Sequence, residues 1–182
     1  MAYNINKKGH IEPDISNVPA ILRRDNYWQV CIDLAKNSRS QNQRYGSIIV
    51  KDEHIIGKGW NRLLGQKEQF PFRTSFFLHA ERAAMGNAIL EHREEILEGA
   101  IIYVAGFFCK EKKPFISRIC NSNSCISCTK LYLNFGLWGA FPKKGGWSII
   151  SPNQAYENAV KNKKFREIKN ITIRDYRLHV SL

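Results

Sequence analysis

Apolar residues near the start of the chain recur with the 3.6-residue period of an amphipathic helix. Their positions follow the spacing i, i+3, i+4 and i+7, which places them on one helical face. The residues of this stripe are Trp28, Cys31, Ile32 and Ala35. Asp25 precedes them and has a side chain suited to capping a helix N-terminus. The pattern predicts a first helix that runs from Asp25 to about Lys36.

Two short segments after this helix combine β-branched residues with a polar turn, a pattern typical of a β-hairpin. They cover residues 47–51 and 54–59, with a tight turn between them. Residues 100–105 form a continuous apolar run, which predicts a strand buried on both faces. Residues 137–141 and 171–180 predict two further strands, and the second of these changes its apolar phase in a way that indicates a bulge.

Three further helices are predicted between and after these strands. They cover residues 76–92, with Ser75 as the N-cap, residues 124–135, with Gly136 at the C-terminal end, and residues 151–165, with Pro152 in the first turn. Residues 61–72 and the pair Gly145 and Gly146 carry the breakers of loops and turns. The alternation of helices and strands predicts a three-layer α/β/α domain, in which helices cover both faces of one sheet.

The composition predicts an ordered globular protein without a membrane span. Of the 182 residues, 43% are hydrophobic and 12% are aromatic, and no apolar run reaches the length of about 18 residues that a span needs. Residues 1–24 are polar and lack the apolar core of a signal peptide, so they are interpreted as an extension before a domain at residues 25–182. The five cysteines, without a secretory signal, favour reduced thiols or metal ligands and a cytoplasmic location.

Positive charge is concentrated in the second part of the chain. The formal net charge is +12, and residues 110–182 contribute +10 of it, from 14 basic and 4 acidic side chains. This asymmetry favours an anionic partner, either a nucleotide phosphate or an RNA or DNA backbone. A solvated basic surface explains the same charge equally well.

Four side chains in two short motifs can form a metal-dependent hydrolytic site. His79 and Glu81 lie in one motif, and Cys125 and Cys128 lie in the other. One imidazole and two thiolates suit Zn²⁺ and leave one tetrahedral position for a water molecule, whose pKa falls to about 7 on the metal. The i, i+3 spacing puts both sulfurs on one face of a helix, and a helix N-terminus lowers thiol pKa. Glu81 is placed to take the proton of that water.

A structural zinc site explains the same motifs if a fourth protein ligand completes it. Cys109 and Cys120 are the candidates for that ligand, and Glu81 would then be only a surface charge. Cys31, on the stripe of the first helix, is interpreted as a core residue. The remaining histidines have no partner motif and are interpreted as surface or core residues: His10, His54, His92 and His179.

The motifs His79-Ala80-Glu81 and Cys125-x-x-Cys128 resemble the signature of the zinc-dependent cytidine/deoxycytidylate deaminase superfamily. The resemblance extends from about residue 28 to residue 180. It implies a cytidine deaminase-like fold with a five-stranded mixed sheet, and hydrolytic deamination in which zinc hydroxide attacks the base, Glu81 shuttles the proton and ammonia leaves. It also implies that Asn61 contacts the sugar, that the backbone at Ala80 contacts the base, and that the protein forms a homo-oligomer.

One departure from the family pattern lies beside the metal site, and two further features bear on the substrate. Ser124 stands where the family has a proline, although serine can also cap a helix. Residues 107–123 resemble an insertion beside the metal, whose basic side chains fit either a phosphate-binding lid or a solvated loop. The predicted helix before the last strand resembles the branch of the family whose fifth strand is parallel. That branch includes deoxycytidylate, guanine and tRNA adenosine deaminases and the polynucleotide cytidine editors.

Several functions therefore stay open. The first is zinc-dependent deamination of a cytosine-type nucleoside or nucleotide. The second is an editing deaminase that acts on tRNA adenosine or on polynucleotide cytidine, with an aromatic cluster that stacks bases. This cluster consists of Phe70, Phe72, Phe76 and Phe77, for which core or oligomer-interface positions are favoured. A guanine deaminase and a non-catalytic zinc module are the remaining alternatives.

Overall fold

The computed structural model describes residues 20–40, 43–63, 77–108, 124–143 and 145–161. The strands in these ranges are β1 (Gln43–Lys51), β2 (His54–Trp60), β3 (Arg62–Leu63), β4 (Phe77–Leu78), β5 (Ile101–Phe108), β6 (Trp138–Lys143) and β7 (Gly146–Ile150). The helices there are α1 (Ala20–Arg23), α2 (Asn26–Lys36), α3 (Ala80–His92), α4 (Ile126–Phe135) and α5 (Pro152–Lys161), with a 3-10 helix at Glu94–Leu97. None of these helices is both long enough and apolar enough to cross a membrane.

One mixed sheet of five strands, in the order β2-β1-β5-β6-β7, organises the fold. The central strand β5 pairs antiparallel with β1 and parallel with β6. The pairs β1–β2 and β6–β7 are antiparallel hairpins at the two edges. The apolar run that predicted a doubly buried strand forms β5, in which six consecutive residues are buried. The predicted five-stranded mixed sheet is therefore confirmed.

Helices cover both faces of this sheet, which confirms the three-layer α/β/α arrangement. On one face, α2 packs against β1 and β5. Its predicted stripe is buried there and consists of Trp28, Cys31, Ile32 and Ala35. On the opposite face, α3 packs against β2 and β1. The helices α4 and α5 share that face and contribute to the same core, for example through Leu131 and Ala155.

A helix cap, a hairpin turn and a helix end form at the residues that the sequence predicted for them. Asp25 is the N-cap of α2, and its side chain accepts a hydrogen bond from the Trp28 N–H at 2.8 Å. Asp52 and Glu53 form the β1–β2 turn with φ angles of 48° and 65°. Two consecutive left-handed residues match the twist of a two-residue hairpin. Gly136 ends α4 with a φ of 65°, the conformation that favours glycine at this position.

The second predicted helix is wrong at its start. The helix α3 begins at Ala80, because Phe77–Leu78 forms β4 and pairs antiparallel with β3. The chain at His79 is still extended, with φ −74° and ψ 150°. Backbone pairing with Arg62–Leu63 therefore replaces the helical turn that the apolar pattern predicted.

The fifth strand of the sheet is a different segment from the one predicted. The strand β7 follows β6 after a turn at Gly145 and pairs antiparallel with it, whereas the sequence predicted only the turn. By folding back at once, the chain pairs the otherwise open edge of β6. The strand predicted at residues 171–180 lies outside the described residues, as do residues 162–165 of the last predicted helix. The strand that follows β6 in the described part of the chain is therefore antiparallel to it, and the assignment to the family branch with a parallel fifth strand stays a prediction.

The strand β2 lies so close to α3 that a side chain at Gly59 has no room. A Cβ at Gly59 would lie 2.6 Å from the carbonyl oxygen of Ala80 and 2.7 Å from the carbonyl carbon of Ala83. Real Cβ atoms essentially never approach other atoms this closely. Glycine at this position therefore allows the N-terminal part of α3 to pack closely against β2.

Replacing Gly59 with alanine is expected to lower the free energy of unfolding by about 1–3 kcal/mol, because the new methyl group meets helix backbone that cannot swing away. Equilibrium urea denaturation measures the change. Gly145→Ala is the matched control, since a Cβ there meets nothing within 4 Å. Equal stability of the two variants would contradict the close approach of β2 and α3.

Candidate metal centre and its surroundings

The first candidate ligand lies at the N-terminal end of α3. His79 is the N-cap residue, and its carbonyl oxygen accepts the first hydrogen bond of the helix from the Ala83 N–H at 3.0 Å. Its side chain makes no capping hydrogen bond. The imidazole is therefore available for another partner, at a place that the β3–β4 pair and the close approach of β2 both determine.

The two sulfur ligands lie at the N-terminal end of α4. Cys125 is the N-cap residue, with an extended backbone, and its carbonyl oxygen accepts the Cys128 N–H at 2.9 Å. Cys128 lies in the first turn of the helix and is fully buried. This first turn, which the i, i+3 spacing predicts, puts both sulfurs on the same side of α4.

The three candidate ligands meet at one point between α3 and α4. Their ligand atoms lie within 4.8 Å of one another. His79 Nδ1 lies 3.4 Å from Cys125 Sγ and 3.5 Å from Cys128 Sγ. Tetrahedral zinc with ordinary Zn–N and Zn–S bond lengths separates nitrogen from sulfur by about 3.5 Å. The donor types and their spacing therefore fit a zinc ion.

Hydrogen bonds and burial shift the pKa values of the two thiols in opposite directions. The hydrogen bond from Cys128 is the largest cause that lowers the pKa of Cys125, which falls to about 3, and His79 and Ser127 lower it further. The same hydrogen bond, together with burial, raises the pKa of Cys128. Burial lowers the pKa of His79, but its hydrogen bond to Cys125 and the charge of Cys125 outweigh burial and raise the pKa. The sequence predicted that the helix N-terminus lowers the pKa of these thiols. The pKa of Cys125 is lowered mainly by its hydrogen bond from Cys128, and the pKa of Cys128 is raised, so the prediction is wrong at Cys128.

Glu81 lies in the first turn of α3, and its side chain is 7% exposed. Burial is the largest cause of the raised pKa of Tyr45 and of Tyr132, and the charge of Glu81 is the second cause at both. The same charge also acts on His79 and Cys128. The carboxylate is therefore close to the candidate ligands, although none of the described metal clusters includes it.

The two residues predicted to touch the substrate lie at the start of α3 and directly after β2. Ala80 is the first residue of α3 and is fully buried. Its backbone N–H belongs to the first turn, whose N–H groups have no partner within the helix. Asn61 follows β2, and its side chain accepts the Tyr45 N–H at 2.7 Å and donates to the Gln43 carbonyl oxygen at 2.9 Å. One donor and one acceptor site of its carboxamide remain.

Two residues of the centre were missed by sequence reasoning. Arg82 is 8% exposed and reaches from α3 to α4, where its guanidinium donates to the Ser127 carbonyl oxygen at 3.4 Å. Its positive charge acts on Cys128 and favours the thiolate. The hydroxyl oxygen of Ser127 lies 3.0 Å from Cys125 Sγ. Arg82 directly follows Glu81, and Ser127 lies between the two cysteines. These sequence positions could have indicated both residues.

The role predicted for Ser124 is wrong. Cys125, not Ser124, is the N-cap of α4. The Ser124 hydroxyl lies instead 2.7 Å from the Tyr132 hydroxyl, and both side chains are buried. A serine at this position can make a hydrogen bond that the proline of the family pattern cannot make.

The proposed insertion begins later than residue 107. Phe107 and Phe108 are the last residues of β5, and Phe107 is fully buried. The possible fourth ligands Cys109 and Cys120 lie outside the described residues. Within the described ranges, no fourth histidine, cysteine or carboxylate joins the cluster. The side chains of the predicted aromatic cluster also lie outside the described part: Phe70, Phe72, Phe76 and Phe77.

A family model described as the cytidine and deoxycytidylate deaminase zinc-binding region matches residues 23–138. The matched stretch contains His79, Glu81, Cys125 and Cys128, and it ends at the first residue of β6. No curated protein sequence matches the chain significantly.

Solved structures of three proteins are similar to the chain. A dCMP deaminase from the cyanophage S-TIM5, in complex with dCMP and dUMP, is 22% identical, with a TM-score of 0.34, over 56% of this chain and 64% of that chain. This match therefore spans less than two thirds of the cyanophage protein. A cytidine deaminase from Burkholderia pseudomallei is 15% identical, with a TM-score of 0.48, over 70% of this chain and 91% of that chain. RibD from Acinetobacter baumannii is 36% identical, with a TM-score of 0.28, over 46% of this chain and 20% of that chain.

Proposed function

Because the chain belongs to the cytidine and deoxycytidylate deaminase zinc-binding family, we propose that it is a zinc-dependent hydrolase that deaminates a cytosine-type nucleoside or nucleotide. The observation that carries this proposal is the buried carboxylate of Glu81 beside the cluster of His79, Cys125 and Cys128. A buried carboxylate that is not itself a ligand is suited to exchange protons with a water molecule on the metal.

Each residue of the site has a part in this reaction. His79, Cys125 and Cys128 hold the metal, which supplies Lewis-acid activation of water at neutral pH. Glu81 carries the two protons of the attacking water to the base one after the other. The first goes to the ring nitrogen and the second to the exocyclic amine, which leaves as ammonia.

The remaining residues position the substrate and the ligands. The Ala80 N–H donates to the base, and the free donor or acceptor of the Asn61 carboxamide contacts the sugar. Arg82 offsets part of the negative charge that two sulfurs and one carboxylate bring into a buried space.

An editing deaminase is the second candidate, and the charge of the chain is compatible with it. Residues 110–182 carry a net charge of +10. Beside Asn61, the guanidinium of Arg62 lies 5.8 Å from the centre of the Trp60 ring, a pairing of cation and aromatic face that also binds single strands. This candidate predicts binding to single-stranded nucleic acid that weakens steeply as salt rises.

Self-association is part of the proposal. Trp138 on β6 and Ile149 on β7 are 43% and 49% exposed, and exposed apolar side chains of this size support a homo-oligomer. Cytoplasmic location stays a prediction from the cysteines.

Mass spectrometry of the products tests the proposed reaction. The purified zinc-loaded protein is incubated with cytidine, deoxycytidine, their monophosphates, guanine, adenosine, single-stranded DNA and tRNA. We expect a mass gain of about one unit on one cytosine-type small molecule, the change that replaces an amine by an oxygen. Turnover only on a polymer would replace the first candidate by the second. No turnover on any member would contradict both.

A further inference from the structure

The helix α4 begins without a side-chain cap. Its N-cap residue is Cys125, and no side chain at that position bonds to the N–H groups of the first turn. Serine, threonine, aspartate or asparagine usually fills this position and fixes the helix start. In α4 the position belongs to a sulfur that lies 3.4 Å from His79 Nδ1. The Cys125 carbonyl oxygen accepts the Thr129 hydroxyl at 3.3 Å, which holds this residue from the helix side. A contact at the residue before it restrains it from the other side.

Two buried hydroxyl groups provide such a contact. Ser124 Oγ lies 2.7 Å from the Tyr132 hydroxyl, the usual length of an O–H···O hydrogen bond. Ser124 is 7% exposed and Tyr132 is 0% exposed, so water cannot easily replace either partner. Breaking the bond would leave two buried polar groups unsatisfied, which is more costly than the bond itself is favourable.

Each partner of this bond adjoins one sulfur ligand. Ser124 directly precedes Cys125, and Tyr132 lies four residues after Cys128, on the same face of α4. The ring of Tyr132 packs in the core that also contains both cysteines. Its carbonyl oxygen accepts the Leu137 N–H at 2.9 Å, which anchors it to the end of the helix.

We infer that the hydrogen bond between Ser124 and Tyr132 is a positioning device, which holds Cys125 and Cys128 at the spacing that a zinc ion requires. The bond ties the residue that leads into the first ligand to the helical turn that follows the second ligand. Movement of Ser124 away from Tyr132, and of Cys125 with it, breaks this bond. The inference rests on the zinc site of the proposed function and on no property of a substrate.

Removal of either hydroxyl tests the inference through metal binding. Tyr132→Phe keeps the ring in the core and is expected to weaken zinc binding by about tenfold or more, since groups that orient metal ligands contribute 10–100-fold to affinity. Ser124→Ala is expected to weaken it similarly. The double variant should bind no more weakly than the weaker single variant, because both changes remove the same bond. Competition with a chromophoric chelator measures the affinity.

The absorption spectrum of the Co²⁺-loaded protein provides a second readout. Its bands depend on the geometry of the sulfur ligands, so they should shift in Tyr132→Phe and in Ser124→Ala. Tyr103→Phe is the matched control, because Tyr103 is 7% exposed and belongs to the core on the opposite face of the sheet. This control should keep the affinity and the spectrum of the unchanged protein.

Two outcomes would overturn the inference. One is the same zinc affinity and Co²⁺ spectrum in Tyr132→Phe, Ser124→Ala and Tyr103→Phe, which would reduce the bond to ordinary core packing. The other is a double variant in which the two losses add, which would show that the hydroxyls act separately. If Tyr132→Phe does not fold, as circular dichroism would show, Ser124→Ala carries the test. None of these readouts uses deamination, so a protein without turnover would contradict the proposed function alone.

Discussion

Glu81→Gln is expected to lower deamination by about 10²–10⁴-fold, the usual contribution of a general acid and base. Glutamine has nearly the same shape as glutamate and fits the same buried space, but it cannot accept a proton. The ligands His79, Cys125 and Cys128 are unchanged, so the variant should keep its zinc. Two quantities are measured. One is turnover on the compound that the mass-spectrometric test identifies as substrate, and the other is the zinc content by elemental mass spectrometry.

Glu91→Gln is the control for this change. Glu91 lies on the same helix as Glu81, but its side chain is 70% exposed and lies 3.7 Å from His92. It should leave turnover unchanged. Full activity of zinc-loaded Glu81→Gln would contradict the assignment of Glu81 as the general base. Loss of zinc together with activity would mean that Glu81 supports the ligands and is not the proton carrier.

Cys128→Ala is expected to reduce the zinc content from about one ion per chain to almost none, because two remaining ligands do not hold the metal. It should also make the protein insensitive to chelators. For the unchanged protein, chelation should lower the melting temperature, since a ligand that binds only the folded state stabilises that state. Elemental analysis and thermal melts with and without EDTA measure both effects.

Cys31→Ala separates loss of a ligand from loss of a buried thiol. Cys31 is as buried as Cys128, and its Sγ lies 3.6 Å from the Tyr103 carbonyl oxygen on the other face of the sheet. Burial also raises the pKa of its thiol, as expected for a cysteine in the apolar core. Cys31→Ala should therefore keep zinc and the response to EDTA. Equal zinc content in Cys31→Ala and Cys128→Ala would contradict the assignment of Cys128.

Several features of the site could be predicted because short-range chemistry determines them. The identity of the ligands follows from residue type, since imidazole and two thiolates are a zinc donor set. The spacing of Cys125 and Cys128 places both sulfurs in one helical turn, and the structure confirms that turn. The burial of β5 followed from its unbroken apolar run. The roles of Glu81, Asn61 and Ala80, and the domain boundary at residue 25, stay predictions.

Other features depend on partners that are distant in sequence. The predicted start of α3 was four residues too early. The apolar pattern before Ala80 is that of a helix, but Phe77–Leu78 pairs with β3 and forms the strand β4 instead. The strand β7 was missed because five residues are a short signal, and pairing with the open edge of β6 decides that they form a strand. Arg82 was missed because its partner, Ser127, lies 45 residues away.

The sequence by itself determined the zinc donor set, the order of most elements and the two-sided burial of the central strand. Each of these follows from residue type or from periodicity within a few turns of chain. Only the tertiary structure decided that His79 Nδ1 lies 3.4 Å from a sulfur 46 residues away, and that Ser124 bonds to Tyr132 and does not cap the helix. The physical reason is that such contacts depend on how two helices pack on one sheet, and the close approach at Gly59 helps to set that packing.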